Sequence, residues 1–376
     1  MIQTPGILVT ILAFVLVLGP LVFLHELGHY LAGRWFGVKA DEFSIGFGRE
    51  VAGFTDKRGT RWKFGWLPLG GYVRFAGDMN PASQPSPEWL SLPAAERART
   101  FQAKALWQRA IIVAAGPIAN FIVAILILSA FAFAFGQNVT PPVIGKMDPK
   151  GAAAQAGLQT GDRITALDGR RIDDFHDLQL FTVLRAGESV TVEYDRGGEA
   201  RRATATIGTL REKDRFGNIS TRGALGFYGT PALAPVAFWE APLVGIRQTG
   251  EIVRTTIEGL KRILIGRIPV SELGGPLKIA QISGQSLAMG PLDLVFLIAL
   301  ISINLGFINL LPVPVLDGGH LLFYAVEAVR RRPVEPQVME WAYRGGLIAI
   351  LALMLFVTFN DLGAFGVWRS LAGLIG

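Results

Sequence analysis

The residues best suited to chemistry lie at positions 25–29, where the chain reads His-Glu-Leu-Gly-His. On a helix, positions i and i+4 lie on one face, so His25 and His29 can bind one divalent ion together. Glu26 then lies beside the water bound to that ion. Zinc lowers the pKa of its bound water and polarises a carbonyl group, while a nearby carboxylate transfers the proton. The pattern therefore predicts zinc-dependent hydrolysis, and it uses two of the four histidines in the chain.

A catalytic zinc ion takes three protein ligands and keeps one position for water, so a third ligand must come from elsewhere. Residues 309–320 read NLLPVPVLDGGH and contain one acidic residue, Asp317. His320, three residues further on, is a competing ligand. The two prolines break a helix, and irregular backbone at membrane depth is tolerated where it lines a cavity or is buried in protein. We therefore expect this stretch to line the site, with Asp317 as the first candidate for the third ligand.

The composition indicates that these motifs lie in a membrane protein. Of the 376 residues, 51% are hydrophobic and 18% are charged, whereas about 25% are charged in average chains. The absence of cysteine excludes disulfide scaffolds and thiol catalysis. Four uncharged blocks predict transmembrane helices: residues 7–24, 110–135, 294–311 and 347–359, the last reaching spanning length if 341–346 join it. The first block could instead be a signal peptide, but it lacks a basic leading region and a cleavage site.

The distribution of basic residues predicts the orientation of these helices. Residues 34–109 hold 12 Lys or Arg against 7 Asp or Glu, and residues 330–332 are all Arg. Short basic flanks mark the cytoplasmic side, so both termini and residues 137–290 are expected outside, in a bacterial inner membrane. The net charge of +6 is thus spread over both sides of a membrane. This spread argues against a nucleic-acid partner.

The long segment between the second and third blocks predicts a small β-rich domain. Residues 151–172 read GAAAQAGLQTGDRITALDGRRI and resemble a bacterial PDZ domain, a module that binds an extended peptide or a chain terminus as an added strand. The alternative is a generic β spacer. Residues 241–264 carry apolar residues at helical spacing. That helix is expected on the membrane surface or packed on the insert.

HELGH in the first span, GPIANF at 116–121, the PDZ insert and NLLPVPVLDGGH together resemble the site-2 protease family, and most closely its regulator of sigma-E protease group. The resemblance covers nearly the whole chain in order. It implies a membrane-embedded metalloprotease in which His25, His29 and Asp317 bind one zinc ion and Glu26 is the acid and base. It also implies that Asn309, and more weakly Asn304, handles the substrate. The best-known members carry two PDZ domains, whereas this chain has room for one evident copy.

The resemblance also implies a β-hairpin in residues 41–75 that dips into the membrane beside the site; the alternative is an ordinary cytoplasmic hairpin. The predicted fold is an α-helical membrane protein with about four transmembrane helices, this hairpin and an inserted small β-rich PDZ domain. The expected boundaries are 1–136 for the first membrane part, 137–228 for the PDZ domain, 229–290 for amphipathic membrane-surface helices and 291–376 for the second membrane part.

The predicted function is cleavage of peptide bonds in or near the transmembrane segments of single-span membrane proteins. An anti-sigma factor or a remnant signal peptide would fit the family, as would regulated intramembrane proteolysis. The expected partners are such substrates, the lipid bilayer and a peptide or protein C-terminus at the PDZ domain, and the active site is expected towards the cytoplasmic side. The alternatives are a membrane metal transporter and a catalytically inactive PDZ adaptor.

Overall fold

The computed structural model describes residues 6–77, 92–182, 185–213, 219–230, 232–266 and 274–364. The chain divides into two compact units. The membrane unit comprises Met1–Ala130 and Pro242–Gly376, and the insert comprises Phe131–Ala241. The helices are α1 (Ile7–Trp35), α2 (Ala94–Arg97), α3 (Leu106–Phe135), α4 (Ala152–Gln155), α5 (Phe175–Thr182), α6 (Ala241–Leu264), α7 (Pro276–Met289), α8 (Pro291–Asn309), α9 (Asp317–Arg330) and α10 (Pro336–Ala364).

Twelve strands accompany these helices in the described chain. They are β1 (Ala40–Thr55), β2 (Arg61–Phe75), β3 (Gln137–Val139), β4 (Ile144–Met147), β5 (Arg163–Leu167), β6 (Arg170–Arg171), β7 (Ser189–Arg196), β8 (Glu199–Thr206), β9 (Gly208–Lys213), β10 (Ile219–Ala224), β11 (Phe227–Gly229) and β12 (Ala232–Ala234). The first two belong to the membrane unit and the other ten to the insert.

The prediction of four membrane helices is confirmed. Within the described residues, four helices are long and apolar enough to cross a membrane: Ile7–Trp35, Leu106–Phe135, Pro291–Asn309 and Pro336–Leu362. The first extends past the predicted end, so the HExxH pattern lies inside a helix. The third ends two residues before the predicted end, because Pro312 follows and proline disfavours helical backbone in the residue before it.

The predicted hairpin is also confirmed, and it folds back on itself into a small sheet. Residues 71–75 pair antiparallel with residues 40–45, while residues 61–65 pair with residues 50–55 and also lie beside 42–45. The strands bend at Gly46, Gly48 and Gly70, whose positive φ angles favour glycine. Residues 71–75 are therefore an edge of this sheet. Phe43 anchors it on α1, since its buried ring stacks on Trp62 and meets Tyr30 edge-on.

The insert is β-rich, as expected. A four-stranded antiparallel sheet of order β6-β5-β7-β8 covers one apolar core, and β3, β4 and β9 pair with β12, β11 and β10. Asp168 and Gly169 have positive φ angles and form the turn between β5 and β6. Buried Asp162 receives two 2.7 Å hydrogen bonds from Arg196, and these hold the pKa of its carboxyl below the usual range.

The two helices after the insert contact the membrane helices. Helix α6 packs on α3 and α8. The contact with α3 is close at Gly245, where a Cβ atom would lie 2.7 Å from the carbonyl oxygen of Ile125. Helix α7 contacts α1, α8 and α10. The buried carboxylate of Asp361 in α10 caps α7, since it accepts hydrogen bonds from the backbone N–H groups of Lys278 (3.1 Å) and Gly275 (3.4 Å).

Candidate metal centre

Helix α1 places its two histidines side by side. The Nε2 atoms of His25 and His29 lie 3.3 Å apart, because four residues advance slightly more than one helical turn. Both rings are largely buried, with side-chain exposures of 10% and 12%. The two nitrogens therefore point to one spot inside the membrane unit.

Asp317 reaches the same spot from the opposite half of the chain. It is the first residue of α9, and its Oδ2 atom lies 3.2 Å from His25 Nε2 and 3.5 Å from His29 Nε2. The loop before it is tightly packed, and Val315 has a φ of 88°, which is strained for a β-branched residue. Gly318 and Gly319 press against backbone carbonyls of this loop, where a Cβ atom would collide. The LDGG sequence thus lets α9 begin close beneath the loop and present Asp317.

The three atoms fit a zinc ion. Ligands at about 2.0–2.1 Å from a tetrahedral zinc lie about 3.3–3.4 Å from one another. The observed separations of 3.3, 3.2 and 3.5 Å form one face of such a tetrahedron. In the described chain, Asp317 Oδ2 is buried and accepts no hydrogen bond, as is suitable for a metal-bound oxygen. These residues are also the one group of three potential metal ligands found among the described residues.

Helix α3 orients the imidazoles, a role that its sequence alone does not reveal. His29 Nδ1 donates to the carbonyl oxygen of Ile112 at 2.9 Å, which leaves Nε2 free for a metal. The side-chain amide of Asn120 lies 3.1 Å from His25 Nδ1. A metal on Nε2 requires a proton on Nδ1, so the amide oxygen must then face it. That orientation also gives a partner to Asn120 Oδ1, which is otherwise buried without one.

Gly116 of the GPIANF sequence leaves room for the imidazole of His29. A Cβ atom at this position would overlap the imidazole of His29. Ile112, Gly116 and Asn120 are spaced four residues apart, so they lie along one face of α3 and meet the histidine face of α1. The four-residue spacing is visible in the sequence, but it indicates a role in orienting the histidines only when α3 and α1 are known to be in contact.

A cavity of about 640 Å³ opens on the three ligands and Glu26. Its other walls include Asn309 and residues 70–75, the edge of the hairpin sheet. Glu26 and Val73 line the same cavity, and a Cβ atom at Gly71 would lie 3.0 Å from Glu26 Cγ. The sheet edge therefore packs directly beside the predicted acid and base.

The remaining predicted residues, Asn309, Asn304 and His320, have different surroundings in the structure. Asn309 lines the cavity, as expected for contact with substrate. Asn304 instead donates to the carbonyl oxygen of Leu300 at 3.0 Å and accepts from Thr256 of α6 at 3.2 Å, and it is absent from the described cavity walls. His320 is buried in the wall, where its Nε2 bonds the hydroxyl of Tyr343, outside the three-ligand group.

The chain is similar to known proteins over most of its length. Residues 13–353 match the family described as Peptidase family M50. Two proteins with zinc metalloprotease in their names, from Agrobacterium fabrum and Mesorhizobium japonicum, are each 43% identical to this chain over 94% of its length. The aligned regions span 96% and 98% of those two proteins. Metalloprotease MmpA of Caulobacter vibrioides is 37% identical over 98% of this chain and 99% of its own.

Part of the chain is also similar to a solved PDZ domain of an SdrC-like protein from Listeria monocytogenes. The identity is 19% and the TM-score 0.20, over 24% of this chain and 87% of that one. The relatives cover nearly the whole chain, and the range matched by the family, residues 13–353, contains all three candidate ligands and Glu26. The chain therefore belongs to Peptidase family M50, the site-2 protease family, and is a zinc metalloprotease with membrane-spanning helices.

Proposed function

We propose that this enzyme cleaves peptide bonds within or next to the transmembrane segment of single-span membrane proteins. The observation that carries the proposal is the position of the site on α1, a helix apolar enough to span a membrane. His25 lies ten residues before the end of α1, or about 15 Å along its axis. A site at that depth meets the transmembrane part of a substrate rather than its soluble domains.

His25, His29 and Asp317 would hold the zinc ion. When bound, zinc polarises the scissile carbonyl and lowers the pKa of the attacking water. Glu26 takes the proton from that water and then gives it to the leaving amine. Ile112 and Asn120 keep the two imidazoles oriented throughout, so the ligand geometry does not have to form anew in each cycle.

The substrate must be unwound, because a helix hides its carbonyl groups in internal hydrogen bonds. Residues 71–75 form a sheet edge in the cavity wall, and such an edge pairs with an extended chain. We infer that this edge holds the substrate as an added strand beside Glu26. The side-chain amide of Asn309, which also lines the cavity, donates to the substrate.

The basic segments support a placement in a bacterial inner membrane with both termini outside and the metal towards the cytoplasmic side. The insert then lies outside, where it restricts access to substrates whose external domain has already been removed. Substrates of this type include anti-sigma factors and remnant signal peptides, and the process is regulated intramembrane proteolysis. The PDZ sequence in the insert supports binding of a peptide C-terminus there.

The decisive test is cleavage by the purified protein in liposomes that also contain a single-span substrate. Wild-type protein should cut within or beside the span, whereas Glu26→Gln should keep its zinc and cut nothing, because it loses the proton carrier but no ligand. Glu335→Gln, an exposed glutamate outside the site, is the matched control. Cleavage by Glu26→Gln would contradict the assigned role. Zinc-loaded protein without proteolysis would favour an adaptor, and metal uptake by the liposomes a transporter.

A further inference from the structure

Five charged residues form a straight stripe along α6. They follow one another at spacings of four, three, four and three residues and alternate in sign: Arg247, Glu251, Arg254, Glu258 and Lys261. At 100° per residue they fall within an arc of about 80°. All five are exposed. Opposite charges three or four residues apart attract each other on a helix surface, so the stripe is nearly neutral as a whole.

The opposite face of α6 is packed against two membrane helices. Ile252 and Val253 pack on an apolar cluster built from Ala124, Leu128, Ala299 and Ile303 of α3 and α8. Near the inner end of this contact, the hydroxyl of Thr256 donates to Asn304 Oδ1 at 3.2 Å. Helix α6 therefore lies against the middle parts of α3 and α8.

The depth of this contact can be measured along α8. The uncharged run of α8 begins at Leu294, and the ten residues from there to Asn304 correspond to about 15 Å. The hydrocarbon core of a bilayer is about 30 Å thick, so Thr256 lies near its middle. Arg254 and Glu258 lie within two residues of Thr256, and they reach the same depth.

Charged side chains at such a depth do not face lipid; they face protein or a water-filled cavity. The arginine and lysine residues could extend some way towards the surface, but the short side chains of Glu251 and Glu258 cannot. We propose that the charged stripe of α6 borders a water-filled recess in the membrane. The recess opens on the side of the membrane on which α3 ends and α6 begins, which we call the insert side. From there it reaches the depth of Asn304.

A second exposed strip marks the rim of this recess. Ile246 and Ile257 are 53% and 49% exposed and lie beside the charged stripe on α6. Apolar side chains of this kind suit lipid contact, so the boundary between water and lipid runs along the helix. Asn304 is five residues, about 7.5 Å of helical rise, from Asn309 in the cavity wall. The recess thus brings water to the back of the helix that carries this wall.

Thiol labelling tests the proposal directly, because the chain contains no cysteine and needs no prior substitution. Arg254→Cys and Glu258→Cys would be made singly in the full chain and treated in sealed membrane vesicles with a membrane-impermeant maleimide. Asp173→Cys, exposed in the insert, identifies the insert side. Ile122→Cys and Leu126→Cys are the controls, since these α3 residues are 51% and 63% exposed at a similar depth and carry no charge stripe.

We expect positions 254 and 258 to react from the insert side at least about tenfold faster than positions 122 and 126, because a thiol in lipid stays protonated and unreactive. Reaction after denaturation confirms that each thiol is present, and an unchanged zinc content confirms folding. Glu251→Cys repeats the test one turn away should Arg254→Cys fail to fold. Protection of the stripe, labelling from the opposite side alone, or equal labelling of the α3 controls would each overturn the proposal.

Discussion

Replacing Asn120 by leucine tests whether α3 tunes the metal centre. Asn120 is completely buried, and its amide lies 3.1 Å from His25 Nδ1. Leucine has the same number of side-chain heavy atoms and the same branching but accepts no hydrogen bond, so the N–H on Nδ1 of a metal-bound His25 would be left buried and unpaired. Loss of such an outer partner lowers metal affinity about 10–100-fold, or about 1.4–2.7 kcal/mol. Leaving a buried donor unpaired costs about 1–3 kcal/mol, which agrees with that range.

The assay is competition for zinc between the detergent-solubilised protein and a chromophoric chelator. Asn120→Asp should retain affinity, because its carboxylate accepts the same hydrogen bond. Ser302→Ala is the matched control: the Ser302 hydroxyl donates to the backbone carbonyl of Asn120 at 2.7 Å and so belongs to the same packing without facing the imidazole. Wild-type affinity in Asn120→Leu, or an equal loss in Ser302→Ala, would refute the reasoning.

Three further changes test the packing around the site and in the insert. Gly116→Val should lower zinc occupancy at least about tenfold, because its side chain displaces the adjoining imidazole ligand; metal analysis measures this. Val315→Gly should raise the free energy of unfolding by about 1 kcal/mol, since relief of a left-handed valine outweighs the flexibility of glycine; thermal unfolding measures this. Asp162→Asn should destabilise the insert at pH 7, read by hydrogen exchange of its amides. Arg196 lowers the pKa of Asp162 in the folded protein, so the ion pair stabilises the fold fully at pH values above the pKa of an unfolded aspartate, about 3.9. The difference in stability between wild-type protein and Asp162→Asn should therefore vanish as the pH falls through the lower pKa of Asp162 in the folded state.

Each of these expectations has a contrary outcome. Gly345→Val is the control for the first, because a side chain there meets open space; equal zinc loss in both variants would point to general disruption. A lower melting temperature in the Val315 variant would show that its backbone is not strained. If the amides of the insert still exchanged at different rates in wild-type protein and Asp162→Asn at strongly acid pH, the Asp162 effect would not be electrostatic.

The local patterns of the chain were sufficient to predict several features. The four uncharged blocks predict membrane helices because length and hydropathy alone decide whether a helix can cross a bilayer. The spacing of His25 and His29 predicts a shared metal because helical periodicity places positions i and i+4 on one face. The turn at Asp168-Gly169 follows from two residue types that tolerate positive φ. Each of these properties depends on neighbours in sequence.

The remaining features depend on contacts between distant segments, which only the tertiary structure decides. Asp317 and His320 both lie in the first turn of α9, and the packing of Gly318 and Gly319 under the preceding loop brings Asp317 to the imidazoles. Asn304 and Asn309 are five residues apart, so they lie on different sides of α8, and only one can face the cavity. Spacing gives the relative direction of two side chains on one helix, but the neighbour that each meets is set by how the helices pack.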